Sequence, residues 1–132
     1  MSPEPFDLAC DRLSQVVDQA LYERLHWERN EAPMLARLVA LAHGALEQRS
    51  EFELTEEGAT PDLKRFVLKV HSNRIMAITI WLDRSQVNVD AAAIERSRYQ
   101  VQPGPPITAD YAVVDEQWMA SALEQLFGRV QA

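Results

Sequence analysis

The spacing of the apolar residues changes from a helical to a strand period near residue 50 of this chain of 132 residues. Before that point apolar residues recur every three or four positions, which is the period of an amphipathic helix. After it, as in the stretch RIMAITIWLD at residues 74–83, they recur at every second position, which indicates strands. Helices followed by consecutive strands predict an α+β fold.

Two helices are predicted in the N-terminal part. The first extends from about Phe6 to Trp27. The second begins at an N-cap, Asn30, has Pro33 in its first turn and ends near Arg49. The short link between them predicts an antiparallel helical hairpin. Cys10 falls on the apolar stripe of the first helix and is therefore predicted to be buried.

The region after residue 50 is predicted to form an antiparallel meander, because four strand-like stretches follow one another with short turns. Residues 91–101 fit either a short helix or a fifth strand, and the alternation of Tyr99 and Val101 favours the strand. The following segment, QPGPPIT, predicts an extended connection, because proline is excluded from helix interiors and central strands.

A C-terminal helix is predicted after this connection, with Asp115 as its N-cap and Gly128 at its end. The chain is thus expected to form a single domain over residues 1–132. We predict a two-layer α+β fold with an N-terminal helical hairpin, an antiparallel meander sheet of four to five strands and a C-terminal helix packed on one sheet face. The even-numbered residues from Met76 to Leu82 are predicted to face the helices.

The composition favours an ordinary globular protein, with 47% hydrophobic and 25% charged residues. The net charge of −7 argues against general nucleic-acid binding, in which clustered lysine and arginine dominate the affinity. The sequence contains no apolar run of about 20 residues and no secretory leader pattern. A single cysteine fits a reducing compartment. We therefore expect a cytoplasmic protein that does not associate with membranes.

The sequence carries no recognised signature of catalysis. Its three histidines lie at no metal-ligand spacing, its four glycines are isolated, and no serine stands in a strand–turn–helix elbow. We therefore predict no catalytic residues, no metal, no cofactor and no enzymatic activity, and a small enzyme is the least favoured alternative.

The odd-numbered face of the predicted sheet has no apparent partner within the chain. Its apolar residues surround Trp81, and tryptophan often anchors flat interfaces, so this face is predicted to bind another protein or to form a homodimer seam. The acidic segment at residues 47–62 offers a second docking surface, for a basic partner. The residues predicted to bind the partner are Trp81, Ile75, Val67, Thr79, Glu51, Glu53 and Glu57.

These features predict a small acidic, non-catalytic protein-binding module, of the kind found among inhibitors, immunity proteins and chaperone-like accessory proteins. The alternative is a sheet platform for single-stranded nucleic acid, in which basic side chains lie beside an exposed aromatic residue. The basic residues assigned to that alternative are Arg65, Lys69, Arg96 and Arg98.

Overall fold

The computed structural model describes residues 4–58, 60 and 62–131, and it confirms the predicted α+β class. N-terminal helices are followed by an antiparallel sheet and a C-terminal helix. The helices are α1 (Pro5–Val17), α2 (Gln19–Ala45) and α3 (Glu116–Phe127), with a 3-10 turn at Tyr111–Val113. The strands are β1 (Phe52–Glu56), β2 (Leu63–Val70), β3 (Asn73–Asp83), β4 (Gln86–Ala92), β5 (Gln100–Val101), β6 (Ile107–Asp110) and β7 (Val130–Gln131).

The main sheet has the strand order β1-β2-β3-β4-β6, and every pair in it is antiparallel. Its fifth strand is β6, whereas residues 91–101 contribute only the end of β4 and the short strand β5, which pairs with β7. The prediction of a fifth strand at 91–101 is therefore wrong for the main sheet. Strand β6 begins just after the prolines and lies at the sheet edge, where neighbouring prolines are tolerated.

The hydrophobic core lies between one face of the sheet, here called the inner face, and helices α2 and α3. On β3 the even-numbered residues Met76, Ile78 and Ile80 are fully buried, as predicted. The helices close this layer with side chains from the C-terminal half of α2 and from one stripe of α3. These side chains are Leu35, Leu38, Ala42, Met119, Leu123 and Leu126.

The break between the N-terminal helices lies at Asp18, so the predicted break at Asn30 is wrong. Asp18 has extended backbone angles, and its side chain accepts a hydrogen bond from the N–H of Leu21, which caps α2. Asn30 lies inside α2, where its side-chain amide donates to the carbonyl of His26. The helix also continues through Pro33, although proline removes one backbone hydrogen bond from a helix interior.

Helix α1 contributes no buried residue to the core. Cys10 is exposed, which contradicts the prediction that its side chain is buried. The apolar stripe that suggested burial is present, but no element of the described chain covers it.

The N-cap of α3 is confirmed, because a carboxylate oxygen of Asp115 accepts a hydrogen bond from the N–H of Trp118 at 2.8 Å. Replacing Asp115 with alanine should lower the free energy of unfolding by about 1 kcal/mol, since one donor at the helix start loses its partner. Urea denaturation measures this loss. Glu116→Ala is the matched control, and a loss as large as that of Asp115→Ala would contradict the capping role.

Candidate functional site

The second face of the sheet, here called the outer face, is turned away from the layer formed by α2 and α3. Strand pairing sets Val67 beside Ala77, and Arg65 beside Thr79, on this face. Lys69 lies at the other side of Val67, opposite Glu53 of β1. The outer face therefore has an apolar row flanked by charged and polar rows.

The apolar residues predicted to bind a partner are largely covered within the chain. Val67 is 0% exposed, and Ile75 is also buried. Thr79 and Trp81 are half-buried. A partner can therefore reach Trp81 and Thr79 in this conformation, but not the side chains of Val67 and Ile75.

An ion pair between Arg74 and Glu57 links the two rows that flank Val67 on the outer face. Arg74 lies opposite Lys69, and the N–H of Glu57 donates to the carbonyl of Arg65. The Arg74 Nη1 and Glu57 Oε2 atoms are 3.2 Å apart. The ion pair therefore connects the row that contains Lys69 with the row that contains Arg65. The long arginine side chain spans the row of Val67, which lies between them.

Arg74 reaches the outer face because β3 contains a bulge. Leu68 pairs with Met76 but Lys69 pairs with Arg74, so Ile75 is an extra residue in β3. Simple alternation from Met76 would have placed Arg74 on the inner face. Sequence reasoning missed Arg74 for this reason, and no local signal marks the bulge.

The acidic segment is partly neutralised by the chain itself. Glu56 pairs with Lys64 at 3.3 Å, and Glu57 pairs with Arg74. Glu51 is half-buried and Glu53 is exposed. The carboxylates of the segment therefore do not form one uniform surface.

Side-chain hydrogen bonds hold two neighbouring segments of the chain against the edges of the outer face. The hydroxyl of Ser97 donates to the carbonyl of Ile75 at 2.8 Å, which holds the segment after β4 against β3. The guanidinium of Arg129 pairs with Asp90 at 2.9 Å and donates to the carbonyl of Pro105 at 2.6 Å. The proline-rich segment is thereby fixed at the edge near Asp90.

A cavity of about 560 Å³ lies at one end of the outer face. Three arginines line it, of which Arg65 and Arg96 were assigned from the sequence to nucleic-acid binding, whereas Lys69 and Arg98 lie outside it. We call this cavity the arginine pocket. Its lining residues are Glu57, Arg65, Arg74, Ala93, Ile94, Glu95 and Arg96.

The largest exposed apolar surface lies on α1 and the first half of α2. We call residues 5–29 the helical arm. Among the described residues, eight large apolar side chains are exposed, and seven of them belong to this arm. They are Phe6, Leu8, Leu13, Val16, Val17, Leu21 and Leu25. Sequence reasoning placed all of them except Leu8 on one apolar stripe and assigned that stripe to the core, because periodicity shows that a face is apolar and not what covers it.

The chain matches no protein-family model, no curated protein and no solved structure. None of the described helices combines the length and the apolar character needed to cross a membrane. The helical arm, the outer face and the arginine pocket are therefore the surfaces from which a function can be inferred.

Ionisable side chains also line a smaller cavity of about 260 Å³ beside the end of α2. His43 lines it from α2, Glu47 from the turn that follows the helix, and Glu53 from β1. The ring of His43 is held edge-on to Phe66, with 5.5 Å between the ring centroids. Within residues 4–58, 60 and 62–131, no group of three histidine, cysteine or acidic residues is arranged to hold a metal ion.

Proposed function

We propose that this chain is a non-catalytic protein-binding module that forms a homodimer through its helical arm. The observation that carries the proposal is the concentration of exposed apolar side chains on residues 5–29. The largest apolar patch on a monomeric protein typically covers about 300 to 600 Å² and is often an interaction site.

The area of the arm fits a dimer interface. The exposed fractions of its seven apolar side chains add up to about four whole side chains, each with about 100 Å² of apolar surface, which gives about 400 Å². At the roughly 60% apolar content of protein interfaces, this corresponds to about 700 Å² in total per protomer. Standard interfaces bury roughly 800 Å² per partner.

The gross energy of burial is of the same order as the total cost of association, so the area permits a dimer without fixing its affinity. Burying about 400 Å² of apolar surface on each of two arms contributes about 20 kcal/mol. Association costs about 4 to 15 kcal/mol in lost freedom of the partners. In a twofold dimer the same patch of both chains meets across the axis. Each chain therefore needs only its own arm to form the interface. We therefore expect a dimer whose population rises with protein concentration.

The outer face and the acidic segment contribute less to this proposal. Two of the apolar residues predicted to bind a partner, Val67 and Ile75, are already buried within the chain. Glu56 and Glu57 are already paired with Lys64 and Arg74. Trp81 is half-buried, and one aromatic side chain offers far less apolar surface than the arm.

We also propose that the protein resides in a reducing compartment such as the cytoplasm. Cys10 is a free, exposed thiol on the arm. In an oxidising compartment such a thiol would form intermolecular disulfides, whereas a reducing one leaves assembly to non-covalent contacts.

The mass of the full chain in solution tests the proposal. Size-exclusion chromatography with light scattering, in the presence of a reductant that keeps Cys10 as a thiol, should give about twice the 15.0 kDa of one chain. Dilution should lower the mass towards that of one chain, as mass action requires. A mass of one chain up to the highest soluble concentration would overturn the homodimer and leave the arm to a different partner.

A further inference from the structure

We propose that the arginine pocket binds the phosphate group of a small phosphorylated molecule. The pocket is formed within one protomer, so this inference does not depend on dimer formation. Its lining carries three arginines and two glutamates, which leaves one net positive charge. The volume of about 560 Å³ lies in the range of small-molecule sites and exceeds what a free phosphate ion fills.

Two of the three guanidinium groups have no acidic partner among the described residues. The ion pairs found there join Lys64 to Glu56, Arg74 to Glu57, and Arg129 to Asp90. Glu57 and Asp90 are engaged in these pairs, whereas Arg65, Arg96 and the lining residue Glu95 are in none of them, which leaves one net positive charge among the unpaired groups. Like charges that line one cavity repel each other, and a bound anion would remove that repulsion.

The third guanidinium, that of Arg74, has an unsatisfied donor. Its Nη1 atom pairs with Glu57, but its Nε–H is buried and has no hydrogen-bond partner among the described residues. A buried donor without a partner costs free energy and is uncommon in folded proteins. Three arginines in one lining offer more donors than the single edge of a carboxylate can use, and they suit the several oxygens of a phosphate better.

The segment that closes the pocket is held in an unusual backbone conformation. Arg96 has a φ of 66°, in the left-handed region that residues with a side chain seldom adopt. Such conformations persist where the surrounding structure fixes them, and they are frequent at ligand sites. Here the hydrogen bond from Ser97 to Ile75 ties the same segment to β3, next to the pocket.

Isothermal titration calorimetry on the full chain tests the proposal, with inorganic phosphate and adenosine monophosphate as probes and chloride used to match the ionic strength. We expect saturable binding of one ligand per protomer, with adenosine monophosphate bound at least as tightly as phosphate. Arg96→Gln should weaken both by about tenfold or more, because it removes charged hydrogen bonds. Arg96→Lys should lose part of the affinity, since it keeps the charge but not the planar fork.

Arg84→Gln is the matched control for Arg96→Gln. Arg84 is also exposed and also has a left-handed φ, of 59°, but it lies in the β3–β4 turn and does not line the pocket. Absence of saturable phosphate binding, or equal weakening by both variants, would overturn the proposal. Acetate binding as tightly as phosphate would replace the phosphate ligand by a carboxylate. Tenfold tighter binding of a ten-nucleotide single strand than of adenosine monophosphate would replace the small molecule by nucleic acid.

Discussion

Replacing Leu13 with glutamate should convert the homodimer into a folded monomer with the 15.0 kDa mass of one chain. Leu13 lies in the middle of α1 and is 66% exposed, so the change removes no contact with the core. In the dimer, however, a carboxylate at this position would be buried without a partner, at a cost of several kcal/mol. Twofold symmetry places this charge in both arms.

Val113→Glu is the matched control for Leu13→Glu. Val113 is 62% exposed and is the one exposed large apolar side chain of the described residues that lies outside the arm. This variant should retain the mass of a dimer in light scattering, and both variants should keep the circular dichroism of the unmodified chain. Equal masses for the two variants, whether of a monomer or of a dimer, would contradict assembly through the arm.

Replacing Leu38 with alanine should lower the free energy of unfolding by about 3 kcal/mol, because it opens a cavity between α2 and the inner face of the sheet. Leu38 is fully buried in the core. The measurement is urea denaturation followed by tryptophan fluorescence. It is best made in the Leu13→Glu background, in which dimer dissociation is expected to make no contribution to the measured stability.

Leu25→Ala, in the same background, is the matched control. Leu25 lies on the same helix as Leu38 but is 39% exposed. Its removal should cost less than that of Leu38, since a larger part of Leu25 is already in contact with water. Equal losses for the two leucines would show that the first half of α2 is buried as deeply as the second half, and would remove the basis of the arm.

Periodicity within single elements was sufficient to predict the fold class and the inner face of the sheet. The side chains of Met76, Ile78 and Ile80 share a face because the pleat alternates with every residue, whatever lies elsewhere in the chain. The N-cap of α3 was predictable for the same reason, because the bond between Asp115 and Trp118 involves only neighbours in sequence.

The position of the helix break was not predictable from such local signals. Asp18 and Asn30 are both good N-cap residues, and Pro33 fits the first turn of a helix as well as it marks a disturbed interior. Choosing between a helix start at Asp18 and one at Asn30 requires knowing where α2 meets the sheet. In the structure Trp27 already packs against the core and the fully buried residues follow from Leu35, all on one helix that is continuous from Gln19 to Ala45.

Of the candidate sites, the sequence alone determined the residue types and the elements that carry them. It identified the apolar stripe of α1 and the basic residues Arg65 and Arg96. Only the tertiary structure decided that this stripe stays exposed and that a bulge at Ile75 turns Arg74 towards the same pocket. The physical reason is that periodicity depends on neighbours along the chain, whereas burial and convergence depend on residues that are distant in sequence.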